Sequence, residues 1–197
     1  SAIINALKGN DLAEARRALA SWRGGGVSEL SSEDVARLAI ERGLVDAYRQ
    51  VFAAQPPVRT TVMADLPAGA LIMVAAIAVP AGAARETMHP VGWMKSPRPY
   101  SYIVRAGDWV FLSGLVSRRP SDDQVVPGPI EVQTKTILDN AGVLLKTAGL
   151  SYDNVVASRV FITDDTYFEE MNNQYRRYFT SNPPARATAV AGLMGLD

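Results

Sequence analysis

The chain has 197 residues, of which 48% are hydrophobic and 20% charged, so it carries enough apolar mass to bury a core and lies far from the composition of a disordered segment. Twenty lysines and arginines balance twenty aspartates and glutamates, which removes the electrostatic footprint of a dedicated nucleic-acid binder. With no cysteine and a single histidine, the sequence excludes disulfides, a thiolate nucleophile, a zinc–thiolate centre and a histidine metal cluster.

Residues 2 to 22 place Ile3, Ile4, Leu7, Leu12, Ala15, Ala18, Leu19 and Trp22 at mostly helical spacing, with a break and a fresh cap at Gly9-Asn10-Asp11. Gly24-Gly25-Gly26 stops that helix. Ser31 or Ser32 caps a second one, with Glu33 and Asp34 in the first turn where the helix dipole favours negative charge. Val35, Leu38, Val45, Tyr48 and Phe52 trace its apolar face down to Pro56-Pro57. The β-branched stretch Val58 to Ala64 reads as extended and is followed by a turn at Leu66-Pro67-Ala68-Gly69. Leu71 to Val79 is a short apolar run without alternation, the pattern of a strand covered on both faces. It belongs to an uncharged window, Leu66 to Ala84, that prolines and glycines make too broken to span a bilayer. No basic-then-apolar pattern follows Ser1, and a cytoplasmic protein is expected.

Residues 84–96 read as a connection, being part of a stretch punctuated by Pro80, Gly82, Pro90, Gly92, Pro97 and Pro99. His89, the residue through which any Ser-His-Asp triad would have to pass, lies in this connection. Tyr100 to Val104 and Trp109 to Ser113 form two strands around the turn Ala106-Gly107-Asp108. After a polar loop at 121–129, Val132, Ile137, Leu138, Ala141, Leu144 and Leu145 mark an amphipathic helix that ends at Gly149. A strand is expected at Val155 to Ile162, a helix at Tyr167 to Phe179, and another extended stretch at Ala185 to Val190. Trp93 and Trp109 read as packing residues. The pairs Arg118-Arg119 and Arg176-Arg177 read as solvated charge, while Asp122-Asp123 and Asp164-Asp165 read as loop and turn residues.

The chain also repeats itself. Residues 48–66 superpose without a gap on residues 175–193 at a constant offset of 127, and nine of the nineteen pairs are identical, among them Tyr48/Tyr175, Pro56/Pro183, Pro57/Pro184, Arg59/Arg186 and Leu66/Leu193. The shared pattern is an aromatic helix face, a double proline that forces the exit, and an arginine at the start of a strand.

Several motifs carry a family resemblance: Ser96-Pro97-Arg98-Pro99-Tyr100-Ser101, Val110-Phe111-Leu112-Ser113-Gly114, Leu138-Asp139-Asn140, Val160-Phe161-Ile162-Thr163-Asp164, Met171-Asn172-Asn173-Gln174-Tyr175 and Pro183-Pro184-Ala185-Arg186. In this order they resemble the RidA family (YjgF/YER057c/UK114), and Pro57 to Val62 with Leu66 to Ala78 resemble the end of the same domain. The resemblance implies an α+β fold in which a mixed, chorismate-mutase-like sheet is packed by two helices, preceded here by a helical segment. It divides the chain into residues 1–47, of uncertain origin; 48–83, the end of a first copy; the connection 84–96; and 97–197, a second copy expected to lack its last strand. Three arrangements stay open: an internal piece of a tandem protein, a rearranged domain, or a first copy diverged beyond recognition. Residues 1–44 lie outside the resemblance and share only a faint likeness with a soluble helical stretch of cobalamin-biosynthesis membrane proteins.

The family's activity is hydrolysis of reactive enamines and imines to 2-oxo acids and ammonia in clefts between the subunits of a trimer. Carried over to this sequence, the resemblance implies that Arg186, Tyr100 and Ser113 are the catalytic set and that Arg59, Gly114 and Asn172 bind substrate. It implies a small carboxylate as ligand, no cofactor or metal, no nucleic acid or membrane partner, and a homo-oligomer that is a trimer or pseudo-trimer. A planar guanidinium fork suits a carboxylate, which it both holds and orients. An ordinary surface arginine, a packing tyrosine at Tyr100 and a loop-tying Asn172 are the plainer alternatives. One departure stands out: Ala75 occupies the place where the family commonly carries a glutamate in its final strand. A non-catalytic module that binds small carboxylates or builds an oligomer is therefore the second reading. Ribonuclease activity, also attached to this family, gains nothing from the neutral net charge.

Overall fold

The computed structural model describes residues 5–6, 9, 11–23, 30–67, 70 and 72–193. The chain divides into two compact units, Ser1–Ala54 and Gln55–Asp197. The triple glycine at 24–26 and the turn residues Ala68 and Gly69 lie outside the described residues, as does Leu71.

The first unit is built on two helices, α1 (Leu12–Arg23) and α2 (Ser32–Val51). Asp11 caps α1 by accepting a hydrogen bond from the Glu14 N–H at 2.8 Å, which satisfies one of the orphan donors of the first turn. Ala15 and Leu19, four residues apart, fall on one face and meet Val35 and Leu38 of α2 in a buried cluster with Ala6. The Arg16 guanidinium reaches the Leu30 carbonyl ahead of α2, with Nε at 2.9 Å.

The second unit is α+β. It contains β1 (Val62–Met63), β2 (Arg85–Met88), β3 (Ile103–Ala106), β4 (Trp109–Leu112), β5 (Arg118–Arg119), β6 (Gln124–Val125), α3 (Ile130–Thr147), β7 (Ala157–Ile162), α4 (Phe168–Tyr175), β8 (Ala185–Val190) and β9 (Gly192–Leu193). Among the described residues the strands, parallel and antiparallel together, form four small sheets: antiparallel β2-β3-β4, β5-β6 and β1-β9, and the parallel pair β7-β8. β3 and β4 join through the two-residue turn Gly107-Asp108, where Gly107 has φ 58° and an L side chain would be strained. The parallel pair needs a crossover, which α4 supplies between β7 and β8.

The core of this unit lies on both sides of α3. Fully buried Ile103 and Leu144, with Ala148, pack under Met88, Trp93, Tyr102 and Leu112; further along, Leu138 meets Ile162, Met171 and Tyr175. α3 ends in a Schellman motif, with the Leu150 N–H on the Leu145 carbonyl at 2.9 Å and the Gly149 N–H on that of Lys146 at 3.0 Å; Gly149 takes φ 74°.

Four expectations need correction. Residues 84–96 are not merely a connection, because Arg85–Met88 pairs in register with Ile103–Ala106. The run after Leu71 forms no strand: Ile72, Met73, Val74 and Ile77 are 56%, 73%, 70% and 76% exposed, since the chain offers this stretch no ladder among the described residues. The helix expected to reach Phe179 ends at Tyr175, where the Arg177 and Tyr178 N–H groups turn back to the carbonyls three residues earlier. Trp109 is 61% exposed rather than packed.

Candidate functional site

The site begins with the double proline. Pro56 and Pro57 have no N–H to donate and hold the chain extended, so the segment through Arg59 reaches β1 as irregular extended backbone whose carbonyls are free to pair. It lies beside residues that flank β3 and β4. The Ser101 N–H donates to the Pro57 carbonyl at 3.1 Å, the Ser101 hydroxyl to that of Pro56 at 2.6 Å, and the Gly114 N–H to that of Arg59 at 3.2 Å. The Arg59 N–H donates to Ser113 Oγ at 2.9 Å, and that hydroxyl donates onward to the Ser101 carbonyl at 2.8 Å. Ser113 is buried at the end of β4, so both halves of its hydroxyl are engaged in holding strands together.

Gly114 permits this approach. A Cβ there would stand 2.9 Å from Cγ2 and Oγ1 of Thr60 and 3.2 Å from its Cβ, closer than real side chains pack. The half-buried Arg59 guanidinium lies over the Tyr100 ring, with Cζ 5.9 Å from the centroid, and its Nη1 is shut off from solvent. Tyr100 stands edge-on to Tyr102 at 5.4 Å, and Tyr102 edge-on to Trp93 at 5.1 Å. Burial, followed by the neighbouring Tyr100, raises the Tyr102 phenol far above its ordinary range and keeps it neutral.

A second grouping surrounds Arg186 on β8. Its Nη1 donates to Oδ1 of buried Asn172 at 2.9 Å, and its Cζ lies 4.7 Å from the Tyr175 centroid and 5.8 Å from that of Phe168. The Tyr175 hydroxyl in turn shares a 2.8 Å hydrogen bond with Ser158 on β7. The residues picked out from the sequence thus fall into two sets: Arg59, Tyr100, Ser113 and Gly114 in one, Arg186 and Asn172 in the other. Both guanidinium groups rest on aromatic faces, whose negative face attracts a cation that has given up part of its water.

Sequence reasoning missed Thr60, Ser101 and Tyr102, which become neighbours of the site only through register. Tyr175, whose place in an aromatic helix face suggests a core or subunit-interface residue, is buried, and its ring also carries Arg186. His89 is exposed, with Nε2 3.0 Å from the Trp93 carbonyl and its ring centroid 5.6 Å from that of Tyr102, so it borders the first grouping through its outer aromatics. Arg118 and Arg119 are not simply solvated: Arg118 pairs with Asp123 at 3.6 Å and Arg119 with Asp122 at 2.9 Å. Among the described residues, no group of three or more His, Cys, Asp or Glu side chains is arranged to hold a metal ion, and no helix is long and apolar enough to cross a membrane.

The family model described as Endoribonuclease L-PSP matches residues 93–197, a span that contains Tyr100, Ser113, Gly114, Asn172 and Arg186 but not Arg59. A RutC family protein of Sulfurisphaera tokodaii is 36% identical over 113 residues, covering 56% of this chain and 90% of that protein. The 2-iminobutanoate/2-iminopropanoate deaminase of Mus musculus is 39% identical over 89 residues, covering 45% of this chain and 66% of that protein. The crystal structure of E. coli TdcF with bound serine superposes with a TM-score of 0.53 at 25% identity, covering 57% of this chain and 90% of that one. The matched half of the sequence, the order of its motifs and the shared fold agree: the chain belongs to the RidA (YjgF) family, the family of the Endoribonuclease L-PSP model.

Proposed function

We propose that this protein binds small 2-imino or enamine carboxylates and hydrolyses them to 2-oxo acids and ammonia. The observation that carries this reading is the Arg59 guanidinium held over Tyr100, beside Ser113 and Gly114. A desolvated guanidinium binds a carboxylate through two charge-assisted bonds and fixes its orientation. With the acid end anchored, the adjacent C=N carbon is presented to water in a constrained geometry, and an activated imine needs little more than that plus proton transfer. One water adds to the imine carbon as the C=N electron pair moves to nitrogen, which takes up a proton. Collapse of the tetrahedral carbon forms the new C=O bond and breaks the C–N bond, releasing ammonia.

In this reading Arg59 anchors the carboxylate in the first grouping and Arg186 in the second, each in a Pro-Pro-x-Arg setting but with different neighbours. Tyr100 lines the first anchor and Ser113 positions its strand. Gly114 keeps the backbone open to close approach, and Asn172 orients Arg186. The resemblance to proteins named imine deaminases supports the substrate class. Ala75 favours the second reading, a carboxylate-binding module without turnover, because the exposed segment around it brings no carboxylate to handle water and protons.

The test is a coupled assay in which an amino-acid oxidase generates the imine and semicarbazide traps what survives. Trapping is expected to fall when the protein is added, to recover by about half in Arg59→Ala or Arg186→Ala, and to recover fully in the double variant. Undiminished trapping with the wild-type protein rejects the deaminase and leaves the binding module.

A further inference from the structure

The two Pro-Pro-x-Arg segments are close copies in sequence, yet the fold uses them differently. Pro183 to Thr188 feeds β8, which pairs with β7 beside its own helix α4. Pro56 to Thr61 instead lies against Ser101, Ser113 and Gly114 of the other repeat and continues into β1, which pairs with β9 through Val62↔Leu193 and Met63↔Gly192. Arg85 fastens the start of this segment, with Nη2 3.0 Å from the Gln55 carbonyl and 3.3 Å from that of Pro56. Backbone groups along the edge are therefore already spent: the N–H groups of Ser101 and Gly114 have carbonyl acceptors within the same chain.

We propose that the segment from Pro56 to Met63, extended backbone ending in the two-residue β1, completes the Arg59 site within one chain and closes this edge to a second copy. A second copy is the natural competitor because its Pro183–Thr188 segment repeats the same pattern and would present Arg186 to the same edge. A β-edge whose donors are satisfied offers little to another strand, so the intramolecular segment, held at high local concentration by its tether, prevails. The functional meaning of the site rests on the carboxylate reading above; the strand placement does not.

Cross-linking separates the two, and a chain with no cysteine gives it a clean background. In Thr60→Cys/Gly114→Cys, the introduced Cβ at 114 would lie 3.2 Å from that of residue 60. In Met63→Cys/Gly192→Cys, the corresponding approach is 2.9 Å. Each lies close to the range of about 3.5–4.5 Å that a disulfide spans, so modest relaxation suffices, and the second pair stands in if the first does not fold. After mild oxidation over a wide range of protein concentration, non-reducing gels and mass spectrometry should show about nine-tenths of the disulfide within single chains. Covalent dimers or trimers that increase with concentration, or folded variants whose thiols never pair, overturn the proposal. Intramolecular cross-linking of the variants, with a wild-type protein that leaves the imine untouched, rejects the deaminase alone; intermolecular cross-linking, with a wild-type protein that clears it, rejects the cis placement alone.

Discussion

Ser113 shows how much one hydroxyl can decide. It accepts from the Arg59 N–H and donates to the Ser101 carbonyl, joining residues 54 and 12 positions away in sequence. Replacing it with alanine leaves a half-buried N–H and a half-buried carbonyl to find new partners, at a cost of about 1 kcal/mol, and loosens the segment that carries Arg59. Ser113→Ala should therefore lower the urea midpoint and raise KM for the imine more than it lowers kcat. Equal losses in kcat and kcat/KM with unchanged stability would instead give Ser113 a direct part in the chemistry. The sequence offered Arg59, Tyr100, Ser113 and Gly114 as candidates through motif and repeat. It did not show that Arg59, rather than Arg186, would meet the other three, because that choice depends on long-range register and two copies of one pattern compete for it.

At the level of elements, periodicity was the reliable guide. α3 appears where its apolar spacing places it and stops at the glycine that supplies a left-handed cap. β8 likewise matches its expected span, from Ala185 to Val190. β2 was hidden among prolines and glycines, and only pairing with β3 makes it a strand. α4 is shorter than its aromatic pattern implied, because Phe179 stacks on Tyr175 at 4.5 Å and meets Tyr152 at 5.2 Å after the chain has left the helix. Burial pushes the Tyr152 phenol up to about 12, so it remains a neutral donor to the Leu138 carbonyl. On the outer face of α3, Asp139 accepts from Lys135 Nζ at 2.5 Å and from the Tyr178 hydroxyl at 2.7 Å. Partial burial pushes the Asp139 carboxyl up, but the hydrogen bonds from Lys135 and Tyr178 outweigh it and hold the group below its ordinary value. A depressed folded pKa stabilises above the unfolded value, and that contribution is lost as pH falls through the folded one. With both side chains about half exposed, solvent screens the pair and its contribution to stability is small. Asp139→Asn should therefore shrink, by that small amount, the stability difference between neutral pH and pH below about 4 in urea titrations. An unchanged acid limb would show that the bridge contributes nothing.

For the molecule as a whole, residues on both sides of the 84–96 stretch build one unit through the β1-β9 pairing, and that unit begins at Gln55 rather than at Tyr48, where the sequence similarity between 48–66 and 175–193 begins. A helix can obey the repeat in sequence and still belong elsewhere, since α2 finds its buried partners in α1. The apolar stretch from Ile72 to Val79 has a consequence for handling the protein. Eight residues with strong β-forming character, no charge and no internal proline meet the requirements of a cross-β nucleus, and Pro80 alone stands as a gatekeeper at its end. At matched concentration, Val74→Lys should lengthen the thioflavin-T lag about threefold or more. An identical lag would place the fibril-forming tendency elsewhere in the chain.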